Sequence, residues 1–277
     1  MRGGLRLVYT GDSFMPAKNG RVRHEPHPAP SSVSSPRTRV ETFAHPLWDQ
    51  ATPLGQHFSS LVAGVKILDD DLKDYLEEPI AALPPAVLAR LPHVCVVFVP
   101  FLETDGKVLY VNTERPAKDK QVALARLDAP GRSMVLFTMQ EPNLGDFHYH
   151  FFRAISKLAA ESSAPESLDR FSDLLVEEIN LPVHGEVDEE SWKLKQDLFE
   201  RGTKVKKSTR GFAEYATSAF ADTMTLYLHG LCCDIDVEPG PRQLPTRPLR
   251  KRLEVLAELY PPPVGYAVFP DDRPAGK

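Results

Sequence analysis

Proline fixes its own φ near −65° and removes a backbone N–H, so its spacing limits how far a helix or an interior strand can run. This chain has 26 prolines in 277 residues, about twice the usual share. Pro84-Pro85 and Pro261-Pro262-Pro263 are stops that no helix can cross. Many short elements joined by stiff connections follow from this, and a long coiled coil is excluded. From residue 15 to 46, prolines alternate with serines and arginines and there is almost no large apolar side chain to bury. That stretch predicts a flexible arm over residues 1–46 with no core of its own.

The rest of the chain has ordinary globular composition, 42% apolar and 26% charged, and is long enough to bury a core without disulfide or metal support. The longest nearly continuous apolar run, residues 94–102, is broken by Pro100 and falls far short of the roughly 20 residues that span a bilayer. No membrane association and a soluble protein are therefore expected. The first residues show no apolar stretch of secretory length, and Arg2 stands where myristoylation requires glycine. Neither signal is expected. Three cysteines, Cys95, Cys232 and Cys233, form an odd set without C-x-x-C spacing, which points to a reducing, cytoplasmic setting. With 33 basic and 38 acidic side chains the net charge is −5, which argues against a dedicated nucleic-acid binder while leaving local basic patches.

Strand patterns dominate the middle of the chain. Residues 94–99, 107–112, 122–127 and 133–139 are β-branched or alternating runs separated by turn pairs such as Asp105-Gly106 and Pro130-Gly131, and they predict a largely antiparallel sheet. Two short helices are predicted between residues 61 and 91. After Gly145 the period becomes helical, with Phe147, Phe151, Ile155 and Leu158 on one stripe, and further helices are predicted over 165–179, 188–201, 211–229 and 248–260. Strands followed by helices make an α+β fold rather than alternating β-α units. The expected architecture is an antiparallel sheet in the N-terminal half packed on a C-terminal helical half, as one domain over 47–265 with a tail at 266–277.

Three sequence features invite chemistry. Gly11-Asp12-Ser13 follows a short apolar run and resembles the opening block of the SGNH hydrolases, in which the serine is the nucleophile. A serine needs a base, and residues 261–277 contain Asp271 and Asp272 but no histidine, so a turn is the simpler reading. His148 and His150 form the second feature. On a helix, residues two apart diverge by about 200°; the pair can close on one ion only if the helix begins after His150. The third is Glu214, set among small and aromatic residues in a predicted helix: either it faces solvent on an otherwise packed helix, or it is semi-buried and calls for a cation, a metal or a hydrogen-bond donor.

Residues 188–229, with a helix from Trp192 to Gly202, a basic linker and the acidic, alanine- and aromatic-rich stretch from Phe212 to Phe220, resemble the C-terminal part of lethal-factor-like zincin metallopeptidases. The resemblance implies a zincin-like fold and zinc as cofactor, with Glu214 as the third ligand and His148 or His150 on the preceding helix. No HExxH occurs in the chain. It therefore implies a degenerate metallopeptidase, a pseudoenzyme whose hydrolysis is lost or altered. A rescued site of His148, His150 and Glu214 would take Glu141 or Asp146 as base, because a catalytic zinc needs three ligands, an open position and a carboxylate to take the water's proton.

The alternative function is a non-catalytic module that docks a protein or peptide through the proline-rich arm and basic clusters. Arg247, Arg250, Lys251 and Arg252 lie near the start of a predicted helix, where the macrodipole disfavours cations, so helix stability does not account for them. Either they grip an acidic partner or they pair with Glu254 and Glu258 on a solvated face. Cys232-Cys233 reads as a pair of buried or half-buried thiols.

Overall fold

The computed structural model describes residues 6–8, 37–139, 144–163, 165–200, 205–233 and 242–269. The Gly11-Asp12-Ser13 block, most of the predicted arm, Glu141 and residues 270–277 lie outside them. The chain divides into two compact units, Met1–Leu72 with Pro92–Phe147 and Lys73–Leu91 with His148–Lys277.

Among the described residues the first unit holds ten strands: β1 (Arg6–Val8), β2 (Arg37–Arg39), β3 (Thr52–Leu54), β4 (Phe58–Val62), β5 (His93–Val99), β6 (Phe101–Asp105), β7 (Val108–Asn112), β8 (Gln121–Val122), β9 (Leu124–Ala129) and β10 (Arg132–Thr138). They form a six-stranded sheet in the order β1-β9-β10-β5-β4-β3 and a four-stranded sheet in the order β2-β7-β6-β8. Hairpins form at the expected turns, and Gly106 and Gly131 take the positive φ that these tight connections require. The six-stranded sheet departs from the expected antiparallel pattern. β4, β5 and β10 run parallel at its centre, in register from Phe58 opposite Val94 and from Arg132 opposite His93. The cause is visible in β5, where every residue from Val94 to Val99 is buried. An unbroken apolar strand fits a central parallel position covered on both faces better than a half-exposed antiparallel one.

Residues 37–46, expected to belong to the arm, form β2 against β7 and then α1 (Val40–Ala44). Val40 and Ala44 are buried in a cluster with Val97, Leu102, Leu109, Val111 and Leu136, and Phe43 and Leu47 pack against it. A spaced apolar set in a short segment is enough to anchor it, whatever the prolines before it do. The unit also contains the short α2 (Asp69–Leu72).

The second unit is helical. It contains a π-helical turn, Lys73–Glu77, then α3 (Glu78–Ala81), α4 (Pro85–Leu88), most of α5 (Leu144–Glu161), α6 (Pro165–Asn180), α7 (Glu189–Glu200), α8 (Arg210–Cys232) and α9 (Thr246–Leu259). α8 is the axis, flanked by α6, α7, α9 and α3. Most of its residues from Tyr215 to Leu231 are buried, and the Thr209 hydroxyl caps its start by accepting from the Phe212 N–H.

Arg252 corrects the expected basic patch. It is fully buried and its guanidinium donates to both Glu178 and Glu186. Lys195, also fully buried, donates to Glu186 and to the Gly185 carbonyl at 3.0 Å, and the Tyr215 hydroxyl donates to Glu186. The helical period turns Arg252 inward and leaves its neighbours outside. Arg250 pairs with Glu254 at 3.0 Å and Lys251 approaches Glu177 at 4.0 Å, while Arg247 is exposed. Cations near the start of α9 are thus explained in part by a carboxylate pair buried beneath it.

Candidate metal centre

α5 begins at Leu144, before both histidines. Helical geometry then separates the two rings, and they enter different surroundings. His150 is half-buried, its Nδ1 has no hydrogen-bond partner, and burial lowers its pKa to about 4. It is a neutral ring at physiological pH. Glu214 is half-exposed and accepts from Arg210 Nε at 2.8 Å, one helical turn away. Among the described residues, only His148, Cys232 and Cys233 bring three potential ligand atoms close enough to share an ion. The expected set of His148, His150 and Glu214 is therefore not gathered, because the helix divides the histidines and the glutamate spends itself on its own helix. Asp146, the other proposed base, is half-buried, and burial raises its pKa.

His148 is almost fully buried. Its Nδ1 lies 3.2 Å from Cys233 Sγ and its Nε2 2.9 Å from the Asp74 carbonyl oxygen. One donor atom each from His148, Cys232 and Cys233 falls within 4.8 Å of the others. Each residue reaches this point for a local reason. His148 sits on the first turns of α5. Cys232 ends α8, and Cys233 is its C-cap in extended conformation, held by its own N–H donating to the His229 carbonyl at 2.8 Å. Leaving the helix at residue 233 turns two adjacent thiols toward one imidazole, which continued helix would splay apart by about 100°.

The Asp74 carbonyl is available because of the π-helical turn. In that turn a carbonyl is served from five residues onward, and the fifth residue after Asp74 is Pro79, which has no N–H. His148 supplies the missing donor through Nε2. That bond fixes the ring's tautomer and leaves Nδ1 facing the sulfurs. An imidazole ligand whose far N–H is held by a carbonyl is the usual outer-sphere arrangement of a metal-binding histidine.

Electrostatics separate the two thiols. A hydrogen bond from Cys232 holds Cys233 well below its ordinary range, against the effect of burial and with further help from His148 and His229. The same contact, with burial, pushes Cys232 up. Burial opposes charge on His148, but its bonds to Cys233 and to the Asp74 carbonyl outweigh that and raise it. A thiolate here sits at the C-terminal end of a 23-residue helix, the negative end of the macrodipole. Helix geometry alone disfavours it. What opposes the dipole is first the hydrogen bond from Cys232 and then the imidazoles of His148 and His229, and a metal cation would add to that hold.

His148 and the cysteine pair are both visible in the sequence, but 85 residues separate them, and no spacing rule joins an isolated histidine to an adjacent cysteine pair. Only the packing of α5 beside the end of α8 does so. Comparison with family models, with curated proteins and with solved structures finds no match for this chain. No helix among the described residues is long and apolar enough to cross a membrane.

Proposed function

We propose that the protein binds one thiophilic transition-metal ion, zinc or copper(I), through His148 Nδ1, Cys232 Sγ and Cys233 Sγ. The observation that carries this reading is the convergence of the three donor atoms on a ring already oriented from behind by a backbone carbonyl. Two sulfurs and one imidazole match the preference of these ions over magnesium or calcium. Three protein ligands also leave a fourth position for water or substrate, which is the catalytic rather than the structural form of a zinc site. Glu78 is the carboxylate whose charge acts on both His148 and Cys232, and it is exposed. A zinc ion held by His148, Cys232 and Cys233 would supply Lewis acidity, with Glu78 as the carboxylate whose charge reaches the site. The reading keeps the zinc implied by the zincin resemblance and moves it from the glutamate to the cysteines.

Titration of the reduced full-length protein with cobalt(II) tests this, because thiolate ligation produces intense charge-transfer absorption that carboxylate and imidazole sites lack. One ion per chain with that absorption is expected, displaced by zinc. Cys233→Ser should weaken zinc binding by at least about 100-fold, more than loss of an outer-sphere partner would. Stoichiometric cobalt without thiolate absorption, or unchanged zinc affinity in the serine variant, overturns the proposal.

A further inference from the structure

A cavity of about 590 Å³ opens in the second unit between α5, α7 and α8. Its α8 wall is a stripe of small side chains, Ala213, Thr217, Ser218 and Ala221, with Leu194 of α7 opposite. Small residues alone make space, not a site. The chemistry comes from Asp222, which lines the same cavity, is only 4% exposed, and has a buried Oδ2 with no hydrogen-bond partner. A buried acceptor left unmade costs free energy, so the fold retains here a group that a ligand could satisfy.

The neighbouring cations are engaged elsewhere. Arg153 lies 3.8 Å from Asp188 and 4.0 Å from Glu190, and Lys157 lies 3.7 Å from Glu190. At the rim, Arg210 is paired with Glu214. Carboxylates outnumber cations among the lining side chains, with Glu161, Glu190, Glu214 and Asp222 against Lys157 and Arg210. The cavity is therefore acidic and walled by carbon.

We propose that this cavity binds the ammonium head of an aliphatic primary amine on Asp222 Oδ2, with its carbon chain along Leu194 and the small-residue stripe of α8. A primary ammonium suits the site better than a guanidinium because a single unpartnered oxygen offers no match for the two-pronged arginine fork. The volume lies in the range of small-molecule sites and exceeds what a short alkyl chain fills, so either a free amine or the side chain of a lysine on another polypeptide fits. This site is independent of the metal centre.

The amine needs the ionised carboxylate. Asp222 is faced by Ser191 of α7, by Asp188 before it, and by Tyr149, Arg153 and Lys157 of α5, and Glu190 lines the same cavity. Burial and then Asp188 raise its pKa to about 7, against the opposing pull of Ser191, Arg153 and Lys157. Binding should therefore strengthen as pH rises from about 6 to about 8, by about tenfold, as the ionised fraction grows.

Calorimetric titration of the full-length protein distinguishes the sources, with n-pentylamine as the free amine, Nα-acetyl-lysine methylamide as the peptide side chain and n-pentanol as the uncharged control. Saturable one-to-one binding of either amine, absent for the alcohol, is expected, and whichever binds more tightly identifies the natural class. Asp222→Asn preserves shape and should weaken amine binding at least about tenfold. The exposed Ala213→Trp should block it by filling the space, whereas Cys233→Ser should leave it intact. Failure of both amines to saturate the site, equal binding of pentanol, or unchanged affinity in Asp222→Asn overturns the proposal.

Discussion

Glu186 and Asp222 are carboxylates buried in the same helical unit, and their surroundings drive them in opposite directions. Burial pushes Glu186 up, but Arg252, Lys195 and the Tyr215 hydroxyl together outweigh it and hold its pKa at about 2. Asp222 has only the weaker pull of Ser191, Arg153 and Lys157, its Oδ2 accepts no hydrogen bond, and burial with Asp188 takes its pKa to about 7. The first is a finished piece of architecture, with every charge met by an opposite charge or a hydrogen bond. The second is unfinished within the folded chain. Buried charge is therefore not itself a sign of function here; the missing partner is.

The pH dependence of stability separates the two. Glu186 stabilises the fold above its unfolded pKa of 4.5 and loses that contribution as pH falls toward about 2. Asp222 takes up its proton more readily folded than unfolded, so its contribution is complete below 3.8 and is lost as pH rises through about 7.

The largest effect should come from breaking the finished network. Arg252→Met leaves Glu178 and Glu186 with Lys195 as their remaining cation, and stripping one partner from a buried ion network costs about 3–5 kcal/mol. The urea midpoint should fall accordingly, and a loss under about 1 kcal/mol would show that the network is looser than the geometry indicates. Asp222→Asn should act in the opposite direction, removing a group that resists ionisation. Relative to the parent, it should gain about 2 kcal/mol between about pH 5 and about pH 7 and no more beyond that, by the linkage of one proton per site. Parallel stability curves for the two proteins over that range would contradict the isolation of Asp222. Glu214→Gln should do least. It removes one exposed pair within a helix, too weak to move the melting temperature measurably, and should leave cobalt binding unchanged. A loss of metal in that variant would restore the glutamate to the centre.

The elements were readable wherever a single segment decides its own structure. Residues 94–99 announced a strand, the stripe from Phe147 to Leu158 a helix, and Asp105-Gly106 a hairpin, because alternation, helical period and turn chemistry are local. Parallel pairing of β4, β5 and β10 was not readable from spacing, since it depends on which strands meet after intervening chain has folded elsewhere. The clustering of His148 with Cys232 and Cys233 is unreadable for a similar reason. Glu214 lies on a suggestive helix, while the cysteines come together with the ring only through packing. The basic cluster misled because Arg252 reads as solvated in a one-dimensional charge count, and the carboxylates it neutralises, Glu178 and Glu186, are 74 and 66 residues away.

Pro79 carries no group that could ligate, yet it decides which way the imidazole of His148 faces. By withholding one amide hydrogen it leaves the Asp74 oxygen for His148. The short segment before α3 thus serves as a jig for the His148 ring. Variation at residue 79 would reach the cluster with Cys232 and Cys233 indirectly, by letting the turn reclaim its own carbonyl and releasing the ring to rotate.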